Sequence, residues 1–143
     1  MNIVPFEKVH ISAVVNLGKD CFSDCWTESQ FLSAMDSERL IGFCLFDGER
    51  LIGFISISKN YDDCDLDLVA VAPEYRRQGL AKLLIEKAVD CAKELSLTAV
   101  FLEVRESNVP AIELYKKLEF REISIRKKYY PDGENAVVMK KEI

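Results

Sequence analysis

The run LDLVAVAPEYRRQGLAKLLIEKAVDCAKELSLTAVFLEVRESNVPAIELYKKLEF, residues 66–120, decides the fold. It opens on an apolar stretch (Leu66, Leu68, Val69, Ala70, Val71) that stops at Pro73, and a basic turn follows, Arg76-Arg77-Gln78-Gly79-Leu80-Ala81. Residues 78–96 then place Leu80, Leu83, Leu84, Ala88, Cys91, Ala92 and Leu95 at three-and-four spacing, which predicts an amphipathic helix. Residues 99–104 are a second apolar run holding one carboxylate, Glu103. A turn at Ser107, Asn108 and Pro110 leads into a shorter helix that carries Tyr115. Strand, helix and strand in this order predict a right-handed crossover between parallel strands.

Outward from this unit the pattern stays regular. Residues 2–6 (NIVPF) read as a short strand closed by Pro5, and residues 7–22 as a helix with Val9, Ala13, Val14, Leu17 and Cys21 on its apolar side. Thr27 followed by Gln30 has the form of a capping box and starts a second helix with Phe31, Leu32 and Met35 inward. Phe22 and Trp26 lie between these helices; an aromatic pair there belongs to the core or lines a substrate groove. Residues 40–46 and 51–58 read as strands joined by the hairpin signal Asp47-Gly48-Glu49-Arg50. Residues 60–65 (NYDDCD) form a polar connection, a solvated turn or an acidic lip for a cationic substrate. Residues 120–128 and 136–141 supply two more strands around a loop at residues 129–134. Residues 1–143 thus read as one α/β domain, a mixed central sheet of about six to seven strands flanked by about four helices.

A formal charge of −5 argues against direct nucleic-acid binding, and such a surface tolerates a basic peptide or an amine. The five cysteines form no C-x-x-C pair and the chain has one histidine, so no metal site is expected and the thiols read as buried and free. With no basic-then-apolar leader and no apolar run near membrane-spanning length, a cytoplasmic protein without membrane contact is expected. A monomer or weak dimer is the expectation for its assembly.

A glycine turn that opens a helix can hold phosphate, because the first N–H groups of the helix have no internal acceptor and carry partial positive charge. Gly79 removes a Cβ from the approach, Ala81 keeps the next turn narrow, and Arg76 and Arg77 add charge. The turn is neither a P-loop nor a dinucleotide fingerprint. Together with VAVAPEYR before it and the N-x-x-A-x-x-x-Y of Asn108, Ala111 and Tyr115 after it, it resembles the R/Q-x-x-G-x-G/A signature of the GNAT N-acetyltransferases. More narrowly, LEVRESNVPAIELYKKLEF, IRKKYYPDGENAVVMK and CFSDCWTESQF resemble the RimI family of ribosomal-protein-alanine N-acetyltransferases. Cys25, Ala81 and Asn135 depart from that pattern, where the family carries proline, glycine and aspartate.

The resemblance implies acetyl-CoA as co-substrate. It places the pyrophosphate on the turn formed by Arg76, Arg77, Gln78, Gly79, Leu80, Ala81 and Lys82, and the pantetheine arm along Val69, Ala70 and Val71. Asn108 is expected to cap its helix and to hydrogen-bond the cofactor. Alternation in residues 100–105 sends Glu103 to the face of Phe101 and Arg105, where it reads as a surface glutamate or a base. RimI matches it to the catalytic glutamate, with Asp65 and Asp67 as rivals, and makes Tyr115 the general acid. Trp26, Tyr129, Tyr130 and Glu134 are the candidate substrate-binding residues. The expected acceptor is the N-terminal α-amine of a protein, most readily a ribosomal alanine. Alternatives are a small amine, a lysine side chain, or a non-catalytic acyl-CoA-binding module.

Overall fold

Strand-forming runs joined by tight turns and a single crossover produce one seven-stranded sheet with helices packed against it. The computed structural model describes residues 1–22 and 26–143, so Cys25 lies outside the described residues. In chain order the elements are β1 (Asn2–Pro5), α1 (Ile11–Cys21), α2 (Glu28–Asp36), β2 (Leu40–Asp47), β3 (Arg50–Lys59), β4 (Cys64–Val71), α3 (Leu80–Glu94), β5 (Ala99–Arg105), α4 (Val109–Lys117), β6 (Arg121–Arg126) and β7 (Ala136–Glu142). Short 3-10 turns occur at Lys8–His10 and Pro73–Tyr75. The sheet order is β1-β2-β3-β4-β5-β7-β6, and every neighbouring pair is antiparallel except β4 with β5. The mixed α/β sheet expected from the sequence is therefore present.

Local chemistry sets the boundaries. Thr27 and Gln30 form the expected reciprocal cap, with Thr27 N–H donating to Gln30 Oε1 (2.8 Å) and Gln30 N–H to Thr27 Oγ1 (3.2 Å). Glu7 N–H donates to His10 Nδ1 (3.0 Å), which closes a 3-10 turn and delays α1 to Ile11. The buried stripe of α1 is consequently Ile11, Val14, Val15, Leu17 and Gly18, while Val9 is 79% exposed, contrary to the sequence reading. Gly79, at φ +77°, caps α3, which starts at Leu80, two residues later than the sequence reading. Ile85 and Val89 join Leu80, Leu84, Ala88 and Ala92 on the buried face of α3, while Leu83 and Leu95 stay exposed.

The helices cover both faces of the sheet. Phe54 on β3 turns toward α2, forming edge-on aromatic contacts with Phe6 (4.8 Å) and Phe31 (5.8 Å). Its neighbour Gly53 turns the other way, so close to Leu84 of α3 that a Cβ there would sit 3.1 Å from the leucine methyl. No described helix is long and apolar enough to cross a membrane.

Two irregularities shape the middle of the sheet. Leu66 pairs with Ile57 and Leu68 with Ser56, leaving Asp67 as the extra residue of a β-bulge. The parallel pairing of β4 with β5 comprises only Cys64 with Val100 and Asp65 with Phe101. Beyond those pairs the strands share no ladder, and a cleft opens at the centre of the sheet.

Candidate active site

The cleft holds two adjoining hollows of about 420 and 460 Å³, which share Leu66, Asp67, Leu102, Glu103 and Tyr130 as a common wall. The first is also lined by Val69, Asn108, Tyr115 and Cys21, the second by Asp65, Phe101, Arg126 and Tyr129.

The turn into α3 stands beyond the end of β4. Among the described residues, the backbone N–H groups of residues 77–82 donate to no protein acceptor. Arg77 and Gly79 both hold positive φ, +64° and +77°, which wraps the chain. A Cβ on Gly79 would meet nothing within 4 Å, so glycine is required there by the backbone conformation. Arg76 Nε donates to Val71 O (3.1 Å) and ties the turn to the strand end. Val69, Ala70 and Val71 pair with β3 on one side only, so their other edge faces the cleft. A diphosphate-bearing thioester fits these donors: an anion on the turn, an extended arm along the open strand edge. Lys82 pairs instead with Glu86 (3.8 Å) along the helix.

Pro110 in the first turn and the Asn108 side chain start α4; Asn108 Oδ1 accepts from Ala111 N–H (3.3 Å). One turn on, Tyr115 is 7% exposed, its ring edge-on to Phe120 at 5.7 Å. Burial, with a smaller contribution from Tyr130, pushes its phenol up to about 12, so the hydroxyl keeps its proton.

On β5 the expected alternation holds: Val100, Leu102 and Val104 are buried while Phe101, Glu103 and Arg105 are partly open. Glu103 Oε1 lies 3.3 Å from Arg126 Nε, and the neighbouring Glu103 carboxylate raises the Tyr129 phenol. Asp67 accepts a hydrogen bond from the Ser58 hydroxyl. Burial raises its carboxyl to about 6, with Asp65 adding and Ser58 and Arg39 opposing.

The cleft therefore gathers Glu103, Tyr115, Asn108, Val69 and Tyr130, with Tyr129 at the outer hollow. Two expected substrate residues are held elsewhere. Trp26 packs on Phe31 (5.1 Å) over an apolar pocket between α1 and β3. Glu134 accepts from Arg105 Nη1 (3.0 Å) and Ser107 N–H (2.9 Å), tying the β6–β7 connection to the end of β5, and does not line the cleft. Asn135 braces the same connection, its Oδ1 accepting from Lys128 N–H (3.0 Å). Arg105 sits 4.1 Å from the centroid of Tyr130 and holds that ring over the cleft. Arg126 and Cys21 are cleft residues the sequence did not mark. The position of Arg126 depends on the β6 register, which shifts at Ile123 and carries no periodic signal.

The profile of the acetyltransferase (GNAT) family matches residues 11–120. The chain belongs to that family. It is accordingly an acetyl-CoA-dependent N-acetyltransferase. It is similar to the ribosomal protein bS18 alanine N-acetyltransferase of Escherichia coli, with 34% identity over 140 residues, covering 96% of this chain and 94% of that protein. The crystal structure of the Escherichia coli enzyme superposes with a TM-score of 0.92 over 99% of this chain and 93% of that one. The GNAT fold is shared at 21% identity by Arabidopsis thaliana NAA60, solved in complex with acetyl-CoA, with a TM-score of 0.87 over 99% of this chain and 98% of that one.

Proposed function

We propose that this GNAT protein acetylates the N-terminal α-amine of a protein, with a ribosomal protein beginning with alanine as the foremost acceptor. The observation that carries this reading is the similarity to the Escherichia coli alanine N-acetyltransferase over nearly the whole of both chains. Acetyl-CoA supplies the activated acetyl group. The turn at residues 76–82 holds its diphosphate, the open edge at Val69, Ala70 and Val71 holds its arm, and Asn108 faces the same hollow.

The acceptor enters through the outer hollow, past the packed rings of Tyr129 and Tyr130. An α-amine with pKa near 8 is neutral in roughly one molecule in ten at pH 7, against fewer than one in a thousand for lysine. A modest base therefore suffices, and Glu103 takes the proton, directly or through water. Arg126 and Tyr129 orient that carboxylate. Tyr115 Oη donates its proton to the departing sulfur. Burial keeps that proton on the phenol until a thiolate is there to take it.

The roles are tested by acceptor-dependent thiol release from acetyl-CoA. Glu103→Gln is expected to slow transfer to a peptide N-terminus by about tenfold to a hundredfold, and transfer to lysine by more. An unchanged rate with both acceptors refutes Glu103 as the base.

A further inference from the structure

The second hollow is lined by three carboxylates, and the structure treats them differently. Asp65 Oδ2 accepts from Asn60 Nδ2 at 3.2 Å. Glu103 has the Arg126 guanidinium beside it, 3.3 Å away, and shares the hollow with Tyr129. Asp67 has only the Ser58 hydroxyl, on Oδ2; among the described residues its Oδ1 accepts nothing. The Arg39 guanidinium, which pulls weakly on Asp67, is spent on Lys59 O (2.9 Å) and Asn60 Oδ1 (2.8 Å). The bulge gives Asp67 its place on the wall that divides the two hollows. A partly buried carboxylate with one oxygen anchored and the other facing a cleft is a receptor for a cation.

We propose that Asp67 is the docking residue for the acceptor's charge: its Oδ1 receives an alkylammonium group at the mouth of the reaction site, ahead of proton transfer to Glu103. The proposal rests on reading the cleft as the site of acetyl transfer. At pH 7 an α-amine is about nine-tenths charged, so the cation is the form that arrives. The groups facing Asp67 are Asp65 on its own strand, Glu103 on β5, Arg39 ahead of β2, Tyr130 from the β6–β7 connection, and Tyr115 and Cys21 across the first hollow. Burial, opposed by the Ser58 hydrogen bond and Arg39 and aided by Asp65, leaves the carboxyl titrating near 6. Acceptor affinity is therefore present above about pH 6 and is lost as the pH falls through it.

The test is steady-state kinetics from pH 5.5 to 8 on the wild-type chain, Asp67→Asn and Ser58→Ala. Three acceptors are compared: a peptide with a free N-terminus, an N-blocked peptide with a free lysine, and a small primary amine. Asp67→Asn is expected to raise the acceptor KM about tenfold at pH 7, to change kcat by less than about threefold, and to abolish the limb near pH 6. Ser58→Ala removes a donor that stabilises the charged form, so it moves that limb to higher pH. The KM for acetyl-CoA should stay unchanged in both variants, which reports an intact fold. The acceptor whose KM responds most is the source of the ammonium. An acceptor KM and acid limb that survive in Asp67→Asn overturn the proposal alone, as does a fall in kcat with KM unchanged. A wild-type protein inactive on all three acceptors overturns the acetyl-transfer reading and the proposal with it.

Discussion

Replacing Asp67 by Asn should make the folded chain more stable, and only above a definite pH. The folded carboxyl titrates near 6, against 3.8 for an unperturbed aspartate, because burial penalises its charge. Over that interval the folded state holds a proton that the unfolded state has released, so stability attributable to Asp67 falls as pH rises from about 4 to about 6 and is flat above. Two pH units at 1.36 kcal/mol each set an upper bound of about 3 kcal/mol. Asp67 is partly open to solvent, which brings the expected gain for Asp67→Asn to about 1–2 kcal/mol at pH 7. The asparagine oxygen can still accept from Ser58, so no hydrogen bond is lost in the exchange. Urea unfolding of both proteins at pH 4, 5, 6, 7 and 8 gives the difference directly, and the curves should converge at pH 4. A difference that does not vary with pH, or a variant less stable at pH 7 than the wild type, refutes the claim that Asp67 is held charged at a cost in the fold.

Other expected outcomes rest on single contacts. Gly79→Ala meets no atom but must hold φ at +77°, so it should cost about 1 kcal/mol in denaturation and raise the KM for acetyl-CoA more than that for the acceptor. Tyr115→Phe leaves the ring on Phe120 and removes only the hydroxyl, so stability should change little while kcat falls about a hundredfold or more. Phe54→Ala empties the centre of the Phe6, Phe31 and Phe54 cluster and should cost about 3–5 kcal/mol by chemical denaturation.

The residues that read most clearly were those whose signal is local. The Thr27–Gln30 cap, the Gly48 hairpin and the alternation that turns Glu103 away from Leu102 depend on a few neighbouring residues, and each is present. Periodicity misplaced Val9, Leu83 and Leu95, because an amphipathic pattern does not say which edge of an apolar face the sheet covers. The cleft itself was not legible. It arises where β4 and β5 part after Asp65, and a strict two-residue period through β4 puts Asp67 and Leu68 on opposite faces, whereas the bulge returns Leu68 to the face of Asp65. Arg126 and Glu134 were unreadable for a related reason. Their partners, Glu103 and Arg105, lie on β5 and are fixed by strand register and loop closure rather than by sequence neighbours.

The most direct measurement is mass spectrometry of a peptide beginning with alanine and followed by basic residues, incubated with the protein and acetyl-CoA. A matched peptide with a blocked N-terminus and free lysines runs beside it. One acetyl group, confined to the free N-terminus of the first peptide, is the predicted result. Acetylation of the blocked peptide, or of neither, contradicts the assignment of the acceptor.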